Sequence, residues 1–465
     1  MPYSQVLRNE RFVFADLREL LAKSSESKSG DLLAGIAATS ERERIAAKMA
    51  LADVPLQAFL KQPVIDPEID DVGRLILDHH PTEAFRSFGS MTIGELREWM
   101  LQRFSQPSPY DELKNILTPE MVSALTRVLS NKELVALASK IRNITRCRNT
   151  IGLPGTLGVR IQPNHPTDNL KGIIASSMDG IMLGSGDAVI GVNPAVESVE
   201  SVAGILKTID MVITELQIPT QGCCLAHVTT QMEAMRKGAP VDLMFQSIGG
   251  TQKTNESFGI SLSMLHEARE QTLEQHAKRN VNWVGRQVMY FETGQGSSLS
   301  AQAHHGIDQT TLEARAYGLA KVFDPFLVNS VVGFIGPEYL FDERQITRAG
   351  LEDHFMGKLL GLPMGVDICF TNHAEADHNS LDNLLILLAN AGVNYIMGVP
   401  QGDDVMLGYQ STSFHDAAMV KGMLGLQAAP EFQVWLEQQG ICRGSQLMGN
   451  NQLTEKMTKL LGCME

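Results

Sequence analysis

Five polar side chains stand where short apolar runs of this chain break into loops, and together they outline a pocket for a small polar cation. Glu292 follows the run 288–291 and opens into Thr-Gly-Gln-Gly-Ser-Ser; Asp367 stands inside the run 365–370. Arg160 and Gln162 close the run 156–161, and strand alternation puts residues two apart on one face. Asn193 ends the run 188–192. At Glu292 a rigid element would carry the acid, while Gly294 and Gly296 let backbone come close to a ligand. A carboxylate in such a mouth must be paired, so an ammonium would sit against Glu292 and Asp367. Arg160 could then donate to an oxygen that gains negative charge. Other polar or sulfur groups at run ends are Cys223, Cys224, His227, Gln246, Ser247, Met397, Asp403 and Asp404. No Ser-His-Asp order, Cys-His dyad or strand-closing Lys points to covalent catalysis.

Metal ligation is a separate reading. Asn372-His-Ala-Glu-Ala-Asp-His378 is rich in ligand types, but its spacing is not His-Glu-x-x-His, and it opens a loop and helix. It is expected to be a solvated helix start. His79-His80 before Pro81 is expected on a solvated turn, and Cys223-Cys224 inside an apolar run in the core. A metal-dependent amidohydrolase using His373, Asp377 and Asp403-Asp404 stays open as an alternative, as does a scaffold without activity.

The elements that must position these residues alternate. Apolar runs fall at 156–161, 188–192, 222–226, 243–247, 288–291, 327–335, 365–370 and 394–399. Helical patterns follow them at 169–183, 196–216, 229–237, 257–278, 309–321, 338–360, 379–390 and from 414. Alternation of this kind implies a parallel sheet with right-handed crossovers, and eight units predict a (β/α)8 TIM barrel of the α/β class. A doubly wound sheet is the runner-up, but no run is followed by Gly-x-Gly-x-x-Gly or by a phosphate-binding Gly-x4-Gly-Lys-Ser/Thr. The expected division is a mostly helical N-terminal region (1–145), the barrel (146–430) and a short, polar, partly helical C-terminal extension (431–465). In the first region 12–14 fits a short strand and Asp16 an N-cap. Thr92 with Glu95 and Ser130 with Glu133 fit capping boxes, and Thr118-Pro119 starts a helix. Asp31 is expected to cap a long amphipathic segment running through Arg42, Arg44 and Lys48.

The 465 residues carry a net charge of −14 without a basic cluster, which argues against a nucleic-acid partner and mildly favours a cationic substrate. The cysteines at 147, 223, 224, 369, 442 and 463 show no disulfide-type framework and read as reduced. No signal-peptide pattern follows Met1, and the apolar segment 384–399 is interrupted by Asn390, Gly392 and Asn394. A soluble, cytoplasmic protein is expected.

Long blocks then carry a specific resemblance. Arg160-Ile-Gln162-Pro-Asn164, Gly191-Val-Asn193-Pro194, Cys224-Leu-Ala-His-Val-Thr-Thr-Gln231 and Tyr290-Phe-Glu-Thr-Gly-Gln-Gly296 stand at strand ends. With them come Val332-Gly-Phe-Ile-Gly-Pro-Glu-Tyr339, Arg348-Ala-Gly-Leu-Glu-Asp-His-Phe-Met-Gly-Lys358, Thr371-Asn-His-Ala-Glu-Ala-Asp377 and Asn394-Tyr-Ile-Met-Gly398. The chain from about residue 29 to about 409 closely resembles the large subunit of ethanolamine ammonia-lyase. That resemblance implies an adenosylcobalamin-dependent radical enzyme that converts ethanolamine to acetaldehyde and ammonia. It implies that Glu292, Gln162 and Asp367 hold the amino group, and Arg160 and Asn193 the hydroxyl. It places corrin and adenosyl contacts near Pro194, Gln246, Ser247, Ser300, Met397 and Met406, with cobalt held in the corrin and no metal held directly by the protein. It further implies a small-subunit partner, a homo-oligomer within a larger hetero-oligomer, and a cytoplasmic location, free or inside a bacterial microcompartment. The chain lacks Asp-x-His-x-x-Gly, since Asp353 and His354 are adjacent, so cobalt is expected to keep the cofactor's own benzimidazole. The termini and His304-His305 resemble the family least.

Overall fold

In the computed structural model the described residues are 2–106, 108–448, 453, 456, 458 and 462. Cys463, one of the predicted reduced cysteines, lies outside them; the other five are free and buried. Among the described residues no helix is long and apolar enough to cross a membrane.

Eight parallel strands form the centre: β1 (Gly158–Ile161), β2 (Val189–Val192), β3 (Gly222–Cys224), β4 (Met244–Ser247), β5 (Met289–Thr293), β6 (Leu327–Val331), β7 (Met364–Asp367) and β8 (Tyr395–Gly398). Their ladder order is β3-β2-β1-β8-β7-β6-β5-β4. The first strand pairs with the last, in the nearly closed ring of a TIM barrel. Among the described residues no ladder joins β3 to β4. There Asp242 accepts a hydrogen bond from the Gly222 N–H at 2.8 Å, and Arg148 and Arg279 clasp the same carboxylate. Burial works to raise the Asp242 carboxyl, yet the two guanidiniums hold it below its usual value. The eight predicted runs coincide with the eight strands because each is buried on both faces and so reads as a continuous apolar stretch.

The crossover helices are α1 (Leu170–Met182), α2 (Val199–Glu215), α3 (Val228–Arg236), α4 (Leu262–Lys278), α5 (Gln309–Val322), α6 (Glu343–Leu359), α7 (His378–Asn390) and α8 (Phe414–Leu424). Helix α7 starts as expected, with Asp377 as its N-cap accepting from the Ser380 N–H at 3.0 Å.

Ahead of the barrel lie a hairpin (Tyr3–Leu7 with Glu10–Phe14) and a series of helices. Asp16 caps Leu17–Ser24, and the capping boxes at Thr92 and Ser130 form with Glu95 and Glu133. Asp31 departs from its expected role. The long helix Glu41–Ala52 is capped by Ser40, whereas Asp31 is buried and accepts from the Gln309 N–H at 2.9 Å, in the first turn of α5. It satisfies the first N–H of a helix 278 residues away, whose N-cap is Asp308. His80 is only half solvated, bonded through Nε2 to the Ile116 carbonyl at 3.0 Å and set edge-on against Phe85. The helix Pro430–Gln438 is less polar than the extension predicted there: it buries Phe432, Trp435 and Leu436.

Candidate active site

At the C-terminal ends of the strands a cavity of about 740 Å³ opens above a polar floor. Gln162, Asn193, Glu292 and Asp367 line it, and so do Gln246, Ser247, Ser300 and Met397. Arg160 lies just beneath, with its side chain wholly buried. Pro194 and Met406 are half-buried and do not belong to the lining. His373, Asp377 and Asp403 are exposed and stand outside it. Among the described residues no group of three or more His, Cys, Asp or Glu could hold a metal ion.

The floor consists of two hydrogen-bonded chains, each ending on a carboxylate. On one side Arg160 Nη1 donates to Glu292 Oε1 and to the Tyr290 hydroxyl, both at 2.6 Å, and Nη2 donates to Asn193 Oδ1 at 3.0 Å. The Tyr290 hydroxyl in turn donates to Glu292 Oε1 at 2.6 Å. Burial works against the Arg160 charge, but Tyr290 and Glu292 together raise its pKa above the ordinary value. On the other side Gln162 Nε2 donates to Asp404 Oδ2 at 2.6 Å and to the Tyr409 hydroxyl at 2.8 Å. Tyr409 in turn donates to Asp367 Oδ2 at 2.8 Å, and Ser411 to Asp367 Oδ1 at 2.5 Å. Burial pushes the Asp367 carboxyl up to about 6, the two hydroxyl donors offset part of that, and the charge of Glu292 adds to it. Because the Gln162 amide nitrogen is spent on acceptors, its carbonyl oxygen is the atom left for a ligand.

Local sequence explains much of this. Tyr290 and Glu292 are two apart on β5 and share a face, as do Gly191 and Asn193 at the end of β2. Gly191 is required by Arg160: a Cβ there would lie 2.8 Å from Arg160 Nε. Replacing Gly191 by Ala is therefore expected to destabilise the protein by about 1–3 kcal/mol and displace the guanidinium. Thermal unfolding and substrate affinity check this together; a variant unchanged in both would show that Arg160 has room to spare.

The two loop glycines have a second reason beside a ligand's approach, and Gly294 does line the cavity. A Cβ at Gly294 would meet the Val331 carbonyl at 2.6 Å, and one at Gly296 (φ +97°) the Tyr339 side chain at 2.7 Å. Protein neighbours, not only a ligand, demand them. Tyr290, Asn329, Tyr409 and Ser411 were not singled out in the sequence. Alternation from Glu292 would have found Tyr290; the others belong to strands and loops whose pairing is not local.

A family model described as "Ethanolamine ammonia lyase large subunit (EutB)" matches residues 12–450. The chain is 50% identical over 445 residues to the ethanolamine ammonia-lyase large subunit of Escherichia coli (strain K12), with 96% of each chain covered. It is equally similar, 50% over 445 residues and 96% of each, to that of Salmonella typhimurium (strain LT2). Among solved structures, a truncated 3-deoxy-D-arabino-heptulosonate 7-phosphate synthase from Thermotoga maritima overlaps 60% of this chain and 91% of its own. At TM-score 0.35 and 11% identity, that likeness carries no argument. The family match over residues 12–450 and the identity to these relatives show that the chain belongs to the family of ethanolamine ammonia-lyase large subunits.

Proposed function

We propose that the chain is the catalytic subunit of an adenosylcobalamin-dependent ammonia-lyase that converts protonated ethanolamine to acetaldehyde and ammonium, working with a small subunit. The observation that carries this reading is the placing of two carboxylates, Glu292 and Asp367, with the Gln162 carbonyl in one cavity. A primary ammonium has three N–H donors and no acceptor, and these three groups offer it three acceptors. Asn193 turns its carbonyl to Arg160, which leaves its amide nitrogen to donate to the hydroxyl of the same substrate. Arg160 sits behind Asn193 and Glu292 and holds both.

The residues fit the cofactor. Above the polar floor the wall is apolar, built by Leu225, Phe245, Phe258, Phe334, Ile335 and Leu407, which suits a large, flat, weakly polar ring system. Gln246, Ser247, Ser300 and Met397 from the lining, with Pro194 and Met406 beside it, would hold it. When bound, adenosylcobalamin supplies a radical initiator through cleavage of its cobalt–carbon bond. The chain itself needs only to bind, orient and exclude water, and the lack of a strong nucleophile at the strand ends accords with that division. The direct test is ammonia and acetaldehyde release from ethanolamine on mixing this chain, its small subunit and adenosylcobalamin. Failure to release either product would overturn the proposal.

The buried acid sets a pH dependence. The Asp367 carboxyl is raised to about 6, so its neutral form gains stability from folding below the ordinary carboxylate range, and that contribution is lost as pH rises through about 6. Ammonium binding requires the opposite form. As pH falls below about 6 Asp367 takes up a proton that ethanolammonium must displace, and apparent affinity is expected to fall by up to tenfold per unit. The measurement is kcat/KM for ethanolamine between pH 5 and 8; a flat acidic limb would remove Asp367 from the ammonium site.

A further inference from the structure

Glu292 is not simply paired with Arg160; three donors converge on one of its two oxygens. Oε1 accepts from Arg160 Nη1 at 2.6 Å, from the Tyr290 hydroxyl at 2.6 Å and from Asn329 Nδ2 at 3.2 Å. Among the described residues no hydrogen bond to Oε2 is recorded, although the side chain is only 13% exposed and lines the cavity.

The three donors reach Oε1 from three strands. Tyr290 stands two residues back on β5, Asn329 is the register partner of Glu292 on β6, and Arg160 crosses the barrel from β1. Tyr290 and Asn329 are fully buried and lie outside the cavity lining, so neither is placed to touch a ligand. Arg160 alone would leave the Glu292 carboxylate free to swing about its Cγ–Cδ bond. With Tyr290 and Asn329 added, turning the carboxylate would strand two buried donors, each of which costs about 1–3 kcal/mol when left unsatisfied.

We propose that Tyr290 and Asn329 are positioning residues for this reaction: they pin Oε1 into the floor so that Glu292 presents Oε2 alone to the substrate's ammonium. This rests on the reading of Glu292 as an ammonium ligand. It adds a specific claim: the orientation of the carboxylate is fixed before substrate arrives, which removes a rotamer cost from binding. It also divides the work within the clamp. Asn329 acts on Glu292, Tyr290 acts on Glu292 and also accepts from Arg160, and Arg160 acts on Asn193 as well.

The test uses the assembled two-subunit enzyme with Tyr290→Phe and Asn329→Leu, each made alone and again in a Glu292→Ala background. Binding of ethanolammonium is read by calorimetry, and turnover by ammonia release. Tyr290→Phe is expected to weaken binding on the order of tenfold to a hundredfold, and Asn329→Leu somewhat less. In the Glu292→Ala background the Asn329→Leu effect is expected to vanish, and the Tyr290→Phe effect to shrink to what its contact with Arg160 contributes. A merely structural contribution would instead persist at full size in the Glu292→Ala background. Binding losses of equal size with and without Glu292 would overturn the proposal, as would unchanged binding in both single variants or no ethanolammonium binding by the parent enzyme. Normal ethanolammonium binding without ammonia release would instead defeat the proposed activity and leave the clamp standing.

Discussion

Replacing Glu292 by Gln is expected to lower kcat/KM for ethanolamine roughly 30- to 4,000-fold, the equivalent of losing 2–5 kcal/mol from one side of a desolvated charge pair. The amide keeps an oxygen that can still accept from Arg160, Tyr290 and Asn329, so the floor retains its hydrogen bonds. What it loses is the negative charge opposite the ammonium, and the amide nitrogen would turn a donor toward a ligand that itself only donates. Some stability is also expected to go. Arg160 is wholly buried and would keep no carboxylate in direct contact, and removing one partner of a buried pair is costly. Kinetics must therefore be read at a temperature where the variant is folded, with thermal unfolding measured in parallel. Near-normal turnover by a folded variant would remove Glu292 from the substrate site.

The second large effect concerns the partner. The chain offers a cavity of about 740 Å³ with the exposed Phe334 in its lining, and further exposed apolar side chains, Val196, Phe341 and Val405, stand on the loops that follow β2, β6 and β8. High-affinity sites bury most of a ligand's surface, and a cofactor the size of adenosylcobalamin exceeds what such an open mouth can enclose. The chain alone is expected to fold, to bind the cofactor weakly and to release little or no ammonia. Adding the small subunit is expected to restore both. Cofactor titration with and without the partner, followed by electron paramagnetic resonance in the presence of substrate, separates the cases. Tight binding and a substrate radical signal from the isolated chain would show that it holds a complete site.

Where sequence sufficed, the deciding interactions were short-range. The period-two alternation of strands put Arg160 with Gln162 on a shared face, and double-sided burial made all eight barrel strands readable as apolar runs. The caps at Asp16, Thr92 and Ser130 were legible because cap and capped N–H lie three residues apart. Asp31 shows where that reach ends. Its type announced a cap, but chain folding chose a helix 278 residues distant. The same holds in the site. Asn329 meets Glu292 across 37 residues through the register of β5 on β6, and Tyr409 meets Gln162 across 247 because the ring brings β8 beside β1. Side-chain type and local period specify which groups are available and which way a strand turns them. Which carboxylate oxygen is pinned, which amide nitrogen is spent and how far Asp367 is raised depend on donors, burial and charge delivered by distant segments. Those were decided only when the barrel closed.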